Sequence, residues 1–310
     1  MQDILQEMNK TLAIAEQEQI QQFASPQLPV IFVVGVPRSG TTVLTQLLLS
    51  AFQIGYVNNI IAKFWEAPYM GCILAKSLKD KQQKLNIGID SNYGFTNEYE
   101  GPHEFGYFWR RWFRYKDSHQ IEGEQIAAED IKILQQEVAA MESVFEVPML
   151  FKNPAALSLN IDFLAKAFPT SIFIHIEREP LFNAQSLLMG REKYGNSRED
   201  WFSVKPKEYA WLKDKNVEEQ IAGQMYYTHK RIEDCLKELS AKRKLTIPYE
   251  HFCEQPLQYL QEVESLLQLS GYSLQKREGD LPASLKNTNV LRLEKDVLKR
   301  LKDNLIALKT

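Results

Sequence analysis

The sequence predicts one α/β domain in which helices flank a central parallel sheet. The first observation is a set of short apolar runs, rich in β-branched and aromatic residues, that suit buried strands. The second is that helical patterns separate these runs, which is the order expected of a parallel sheet. The third is a glycine-rich turn at the end of the first run. The predicted strands cover residues 30–34, 149–151, 171–176 and 245–247.

Helical spacing of apolar residues predicts the helices around these strands. Residues 1–24 have helical composition and end at Ser25-Pro26, because the residue before a proline is disfavoured in a helix. The segment after residue 42 carries two adjacent apolar stripes, the pattern of a buried helix. The apolar positions are Ile4, Met8, Leu12 and Ala15; Val43, Leu47 and Ala51 beside Leu44, Leu48 and Phe52; Leu157, Ile161, Leu164 and Phe168; and Val217, Ile221, Met225, Ile232 and Leu239, with a further helix from about Leu181.

Composition excludes several classes of protein. The 310 residues are 44% hydrophobic and 25% charged, which excludes collagen-like, low-complexity and disordered chains. The net charge of -3 argues against a nucleic-acid partner that needs a strongly basic face. Cys72, Cys235 and Cys253 are scattered and odd in number, so neither a disulfide framework nor a zinc knuckle is expected.

The chain shows no targeting signal of the secretory kind. Its first 30 residues are polar with interspersed acids, and the longest apolar stretch, residues 30–36, is far shorter than the ~20 residues of a membrane span. We therefore expect a cytoplasmic protein without a membrane span, in a reducing compartment.

The turn at residues 35–42, GVPRSGTT, has the character of a phosphate-binding loop. It joins a predicted strand to a predicted helix, and Gly35 and Gly40 have the spacing of a nucleotide phosphate loop. Unpaired N–H groups at the helix start, together with the helix dipole, bind anions there. The hydroxyls of Ser39, Thr41 and Thr42 add hydrogen-bond donors.

One position in this loop narrows the ligand class. In a nucleoside-triphosphate loop the second glycine is followed by a lysine that reaches the β- and γ-phosphates. Here Thr41 stands at that position, and Arg38 lies inside the loop instead. An ATPase or kinase of the usual type would lack its main cation. A nucleotide kinase-like enzyme of the P-loop class and a non-catalytic nucleotide-binding protein nevertheless remain as alternatives.

Two segments together resemble the PAPS-dependent sulfotransferases, which use 3′-phosphoadenosine 5′-phosphosulfate. Residues 37–42 resemble the 5′-phosphosulfate-binding loop of that family, which implies that Arg38, Ser39, Gly40, Thr41 and Thr42 hold the donor. Residues 173–180, followed by Ser186, resemble its strand–Arg–x–Pro–helix segment. Arg178 and Ser186 are therefore expected to bind the 3′-phosphate, since a phosphate needs a cation and hydroxyl donors. The resemblance implies a P-loop NTPase-like sulfotransferase fold.

A third segment resembles the tyrosylprotein sulfotransferases and some bacterial relatives. Residues 151–154, FKNP, are similar to their Lys-x-Pro motif, whose lysine contacts the leaving phosphate, so Lys152 is the expected leaving-group stabiliser. The likeness continues at residues 224–226 and 248–252. It implies that Tyr226 lies near the 3′-phosphate or the adenine, whereas the segment around Tyr249 is interpreted as structural.

The resemblance implies a sulfotransferase that moves the sulfuryl group from PAPS to an acceptor hydroxyl and leaves adenosine 3′,5′-bisphosphate. The transfer is in-line, relies on positioning and charge stabilisation, and calls for no metal. We expect a single domain over residues 1–310, with an N-terminal helical extension (1–28), a nucleotide-binding core (29–260) and a helical C-terminal segment (261–310). The acceptor is expected to be a small molecule, a carbohydrate or a lipid, and the oligomeric state stays open.

The general base has three candidates. His103 and Glu104 lie side by side in a Gly-Pro loop, residues 101–106, and an unperturbed histidine can accept a proton at neutral pH. Tyrosylprotein sulfotransferases carry a glutamate about twenty residues past the loop arginine. In this sequence that register holds Asn58 and Asn59, and Glu66 is the nearest acid beyond it. His103 and Glu104 rank above Glu66.

Two further segments have alternative interpretations. Residues 93–115 hold ten aromatic side chains interleaved with Arg110, Arg111 and Arg114, which predicts a helix packed on the core, a wall of the acceptor pocket, or both. Residues 286–306 are either a basic lid over the 3′-phosphate or an amphipathic segment that packs through its leucines. The charged runs at 79–84 and 242–244 are expected to be solvated.

Overall fold

A five-stranded parallel sheet forms the centre of the chain. The computed structural model describes residues 2–78, 96, 98–121, 126–195 and 197–308; the run at 79–84 lies outside these ranges, as do Tyr93 and Phe95. The strands occur in the order β2-β3-β1-β4-β5, and all pairings are parallel. The predicted fold class, α/β with helices on both faces of a parallel sheet, is confirmed. The strands are β1 (Ile31–Val34), β2 (Gly55–Tyr56), β3 (Met149–Lys152), β4 (Ile172–Glu177) and β5 (Lys244–Pro248).

Strand β1 is buried on both faces because helices cover both sides of the sheet. Phe32 and Val34 contribute to one apolar core, and Ile31 and Val33 to a second core on the opposite face. This two-sided burial explains why the strand is a continuous apolar run rather than an alternating one.

Twelve α-helices are described. Helix α2 begins inside the predicted phosphate loop, α7 follows β4, and α9 packs against both α6 and α7. The helices are α1 (Gln2–Ile20), α2 (Thr41–Ala51), α3 (Pro68–Leu78), α4 (Gly106–Phe113), α5 (Ala128–Phe145), α6 (Ile161–Ala167), α7 (Pro180–Tyr194), α8 (Tyr209–Leu212), α9 (Val217–Lys237), α10 (Tyr249–Glu254), α11 (Pro256–Leu269) and α12 (Lys295–Ala307), with short 3₁₀ helices at Ile61–Lys63 and Ala241–Arg243.

Two predicted helices differ in detail from the structure. The helix predicted to include Leu157 begins only at Ile161, because the chain after β3 first forms turns, one of them closed by the Leu157 N–H on the carbonyl of Asn153. Helix α1 is confirmed, but the face that it buries carries Asn9 and Glu16. The Asn9 side chain donates to the carbonyl of Lys63, and Glu16 accepts N–H bonds at the start of α3.

The C-terminal helix packs through apolar side chains, as one of the two interpretations of residues 286–306 predicts. Helix α12 packs against α7 and α9 and buries Val297, Leu301 and Leu305, whereas Leu291 is exposed. In the basic run at 242–244, Arg243 is not simply solvated, because its guanidinium donates to carbonyls at the end of α6.

Across the ranges that the structure describes, no helix has both the length and the apolar composition for crossing a bilayer.

The strand register brings several segments to one edge of the sheet. Val33 pairs with Lys152 on β3 and Val34 with His175 on β4. The loop after β1, the residues after β3 and the residues after β4 therefore emerge side by side at the carboxyl ends of the strands. In open α/β sheets this is the edge where ligands bind.

Candidate active site

The loop after β1 turns sharply before α2 begins at Thr41. Arg38 and Gly40 have left-handed backbone conformations, with φ of 71° and 105°. Gly35 cannot carry a side chain, because a Cβ there would lie 2.5 Å from Ser39 Oγ and 2.8 Å from the carbonyl oxygen of Ile176. The loop is thus folded tightly against the end of β4, with the N-terminus of α2 at its open side.

Ser158 fixes the start of this loop from the neighbouring strand connection. Its hydroxyl accepts a hydrogen bond from the Gly35 N–H at 3.0 Å and donates to the Gly35 carbonyl at 3.0 Å. Ser158 was not among the predicted site residues. The available signal was its position in the turns after β3, at the same edge of the sheet as the loop.

The loop also presents a hydroxyl without a partner. Ser39 is fully buried, and within the described part of the chain its Oγ makes no hydrogen bond. A buried hydroxyl that lacks a partner costs free energy unless a ligand satisfies it. Together with the first N–H groups of α2, Ser39 therefore fits an anion held at the helix start.

The residues predicted to bind the 5′-phosphosulfate and those predicted to bind the 3′-phosphate contact each other in the structure. The Nε of Arg38 donates to the hydroxyl of Ser186 on α7 at 3.0 Å. The Nη1 of Arg178, directly after β4, donates to the carbonyl of Arg38 at 3.0 Å. The residues expected to hold the 5′ and the 3′ ends of the nucleotide thus form one connected cationic surface.

Arg178 is held by residues that sequence reasoning missed. Its Nε donates to Asn289 Oδ1 at 2.7 Å and its Nη2 to Thr288 Oγ1 at 3.2 Å, while its guanidinium lies 4.7 Å from the centre of the Tyr249 ring. Burial lowers the pKa of Arg178 from its usual value. Tyr249 is the first residue after β5, so its place at a strand end was the signal for a position near the ligand.

Lys152 supplies the cation that the loop lacks at Thr41. Its side chain is 1% exposed, and its Nζ donates to Thr42 Oγ1 at 2.8 Å and to Glu104 Oε1 at 3.2 Å. The adjacent Asn153 donates from Nδ2 to the carbonyl of Glu104 at 3.0 Å. Two consecutive residues at the end of β3 therefore hold Glu104 by its backbone and by its carboxylate.

His103 is positioned as a neutral imidazole. The backbone N–H of His103 donates to the carbonyl of Val57 at 2.8 Å, and the ring Nδ1 accepts the Phe105 N–H at 2.8 Å. Burial, with the nearby positive charges of Lys152 and Lys63, lowers the pKa of His103 to about 4 against the opposing effect of Glu104. Because Nδ1 accepts a hydrogen bond, the neutral ring carries its proton on Nε2.

A cavity of about 320 Å³ opens next to these groups. Helix α4 contributes Tyr107 and Arg110 to its wall, while Phe108, Trp109 and Trp112 on the same helix are buried in the core. The described residues of the aromatic segment thus both pack on the core and line a cavity, and its role as an acceptor pocket stays a prediction. The cavity is lined by Asn59, Thr96, Pro102, His103, Glu104, Gly106, Tyr107, Arg110, Tyr115, His119, Asn153, Ala155 and Ala156.

The remaining predicted residues lie elsewhere. The Glu66 N–H donates to Asn9 Oδ1 at 2.9 Å, and Glu66 is not among the residues that line the cavity. Tyr226 lies on α9, and its ring contacts the Tyr227 ring edge-on at 5.1 Å. Within the part of the chain that the structure describes, no hydrogen bond, ion pair or ring contact joins Tyr226 to Arg178.

Comparisons with known proteins agree with this arrangement. A model of the sulfotransferase family matches residues 29–273. Among solved structures, sulfotransferase STF9 from Mycobacterium avium is similar with a TM-score of 0.54 and 14% identity, over 95% of this chain and 71% of that chain. Sulfotransferase STF1 from Mycobacterium tuberculosis H37Rv has a TM-score of 0.54 and 13% identity, over 96% and 81%. Among curated proteins none matches the sequence.

The family match extends from the predicted phosphate loop to the end of α11 and includes Arg178, Ser186 and Lys152. At such low identity the two solved structures show the fold, and they share it over nearly the whole of this chain. The match of the family model to residues 29–273, most of the chain, shows that this chain belongs to the sulfotransferase family.

Proposed function

We propose that the chain transfers the sulfuryl group from PAPS to a hydroxyl of an acceptor held in the 320 Å³ cavity. One observation carries the proposal. The ammonium group of Lys152 bonds to Thr42 in the phosphate loop and to Glu104 at the cavity, so a single cation joins the two halves of a transfer site.

The residues around the loop fit the donor nucleotide. The buried Ser39 hydroxyl and the start of α2 suit the 5′-phosphosulfate, and Arg178 with Ser186 suits the 3′-phosphate. The hydrogen bond between Arg38 and Ser186 links both ends in one network. In PAPS the sulfuryl group is attached to an oxygen of the 5′-phosphate. When the sulfuryl group moves to the acceptor, that oxygen stays on the leaving adenosine 3′,5′-bisphosphate.

Among the three candidates for the base, Glu104 is supported best. Its side chain is 40% exposed, lines the cavity, and is held by Lys152 and Asn153. His103 also lines the cavity, but its Nδ1 lone pair already accepts the Phe105 N–H and its Nε2 bears the proton. We therefore assign proton removal to Glu104, and to His103 a hydrogen bond that orients the acceptor.

Lys152 is proposed to stabilise the charge that develops on the departing phosphate oxygen. A buried ammonium group acts strongly there because little water screens it. The cavity walls, with Tyr107, Tyr115 and Arg110, suit a hydroxyl acceptor such as a small molecule, a carbohydrate or a lipid headgroup.

The first experiment is calorimetric titration of the chain with adenosine 3′,5′-bisphosphate, with ADP, and with ATP plus magnesium. We expect binding that prefers the 3′,5′-bisphosphate. Arg178→Ala should weaken it by at least about tenfold, because charge-assisted hydrogen bonds to a phosphate contribute ~1.5–3 kcal/mol. Arg198→Ala is the matched control, because Arg198 is an exposed arginine that pairs with Glu192. A preference for ATP with magnesium would instead support the kinase-like alternative.

A second experiment tests transfer itself. The chain is incubated with PAPS and a panel of phenols, sugars and lipid alcohols, and the release of adenosine 3′,5′-bisphosphate is followed. Release that depends on both acceptor and Lys152 supports the proposal. Tight nucleotide binding without transfer to any member of the panel would favour a non-catalytic nucleotide-binding protein.

A further inference from the structure

A second cluster of chemically active side chains lies where β4 meets α9. His175 and Glu177 are two residues apart on β4, so both side chains point to the same face of the strand. The His175 Nδ1 lies 3.6 Å from Glu177 Oε1, and the Nδ1 of His229 on α9 lies 4.0 Å from the same oxygen. Each residue offers a metal-ligand atom, and these atoms lie within 4.8 Å of one another.

We propose that His175, Glu177 and His229 form a binding site for a divalent transition-metal ion of the zinc class. Two imidazole nitrogens and one carboxylate oxygen are a ligand set that Zn²⁺ commonly takes, with water in the fourth position. In a tetrahedral zinc site, ligand atoms lie about 3.3 Å apart. Glu177 and His229 are 38% and 39% exposed, so small side-chain rotations can close the observed spacing.

The surroundings of His229 support this assignment. Its Nδ1 faces Glu177, and its Nε2 lies 3.7 Å from Glu233 Oε2, one turn further along α9. Histidines that bind a metal usually direct the other ring nitrogen toward a carboxylate, which fixes the ring and increases its basicity. Glu233 provides that carboxylate at the correct nitrogen.

His175 is the buried member of the cluster. Its side chain is 1% exposed, and in the described ranges its Nε2 has no hydrogen-bond partner. Its Nδ1 faces Glu177, so Nδ1 would be the ligand atom and Nε2 would keep the ring proton.

The position of the cluster indicates its role. Glu177 directly precedes Arg178, while Lys152 and Glu104 belong to a different strand and loop. A metal here would tie β4 to α9 next to the predicted 3′-phosphate site and take no part in sulfuryl transfer. The sequence alone could not predict this site, because 51 residues lie between Glu177 and His229 and no metal motif spans them.

The test uses the untagged full chain after treatment with a chelator, titrated with Zn²⁺ by calorimetry and with Co²⁺ by visible absorption. We expect one ion per chain and a Co²⁺ spectrum of low-symmetry nitrogen and oxygen coordination. His229→Ala and Glu177→Gln should each weaken Zn²⁺ binding by at least about tenfold. His251→Ala, an exposed histidine on α10, is the matched control and should bind as the unaltered chain does.

Two outcomes would overturn the proposal: no saturable binding by the unaltered chain, or equally tight binding by His229→Ala. Because His229 is partly exposed, its replacement should leave the fold intact, and circular dichroism verifies this. The titrations use no nucleotide, so their outcome is independent of whether the proposed sulfotransferase activity is correct.

Discussion

The ammonium group of Lys152 lies 3.2 Å from the carboxylate of Glu104, at the point where the phosphate loop meets the cavity. Lys152 is 1% exposed and Glu104 is 40% exposed, so the pair has one buried and one accessible partner. The buried cation holds one carboxylate oxygen of Glu104, while the carboxylate remains reachable from the cavity. This asymmetry suits a base that must accept a proton from an incoming hydroxyl.

Replacing Glu104 with Gln should lower kcat by about 10²–10⁴-fold, because general-base catalysis contributes that much and Gln keeps the size of the side chain. The measurement is steady-state release of adenosine 3′,5′-bisphosphate with a saturating acceptor. Affinity for the nucleotide should stay nearly unchanged, since the carboxylate faces the cavity.

Glu278→Gln is the matched control for this change, because Glu278 is an exposed glutamate in a loop far from Glu104 in the sequence. If Glu104→Gln retained the turnover of that control, Glu104 would not be the base.

Replacing Lys152 with Ala should reduce turnover by orders of magnitude, because the charge on the leaving phosphate oxygen loses its cation. Nucleotide affinity should change much less, because the loop and Arg178 are the groups proposed to hold the donor. Lys152→Met tests the same point while it preserves the volume of this buried side chain.

Single-turnover rates and calorimetric affinities, measured on the same preparations, separate the two effects. Lys166→Ala, an exposed lysine on α6, provides the comparison. If the Lys152 variants turned over nearly as fast as the unaltered chain, Lys152 would have no part in the reaction.

That the loop, Arg178 and Lys152 lie at one edge of the sheet could be predicted because the signals are local. The loop and Arg178 directly follow buried strands, Lys152 is the last residue of β3, and the carboxyl ends of parallel strands meet at one edge. Contacts that come from distant parts of the chain could not be predicted. Thr288 and Asn289 reach Arg178 from more than a hundred residues away, with no pattern in between.

The choice among the candidate bases also needed the structure. In the sequence, His103 and Glu104 are adjacent and equally plausible. Two hydrogen bonds favour Glu104 in our proposal: the Phe105 N–H bonds to His103, and Lys152 bonds to Glu104. The adjacent Phe105 has a left-handed backbone conformation, with φ of 55°. An aromatic residue is rare in that conformation, so no sequence rule indicates it.

His103→Asn should reduce turnover at pH 7 far less than Glu104→Gln does, because the amide oxygen of Asn can accept the Phe105 N–H in place of Nδ1. A loss as large as that of Glu104→Gln would make His103 the base. The comparison is made in one assay, over a pH series from 5 to 9.

The same variant tests the pKa of His103. Burial lowers the pKa of His103 from 6.5 to about 4, so between these values the unfolded chain binds more protons than the folded chain. The contribution of His103 to stability is therefore complete above pH 6.5 and is lost as the pH falls to about 4.

Urea unfolding of the unaltered chain and of His103→Asn measures this contribution as a difference. The advantage of the unaltered chain should shrink as the pH falls through this range. The effects of the other histidines cancel in the comparison. A difference that does not vary with pH would show that His103 titrates normally.

Gly40→Ala should destabilise the chain and weaken binding of adenosine 3′,5′-bisphosphate. A φ of 105° strains any residue with a side chain, at a cost of about 1–3 kcal/mol, and a Cβ at Gly40 would lie 2.7 Å from Tyr249 Cδ2. The Tyr249 ring cannot move without disturbing Arg178, whose guanidinium lies 4.7 Å from its centre.

Gly271→Ala separates the backbone strain from the contact with Tyr249, because Gly271 has a φ of 84° and no atom within 4 Å of the new Cβ. Both variants should lose stability in urea unfolding, but only Gly40→Ala should lose nucleotide affinity in calorimetry. Equal nucleotide affinity in the two variants would mean that the contact between Gly40 and Tyr249 does not shape the site.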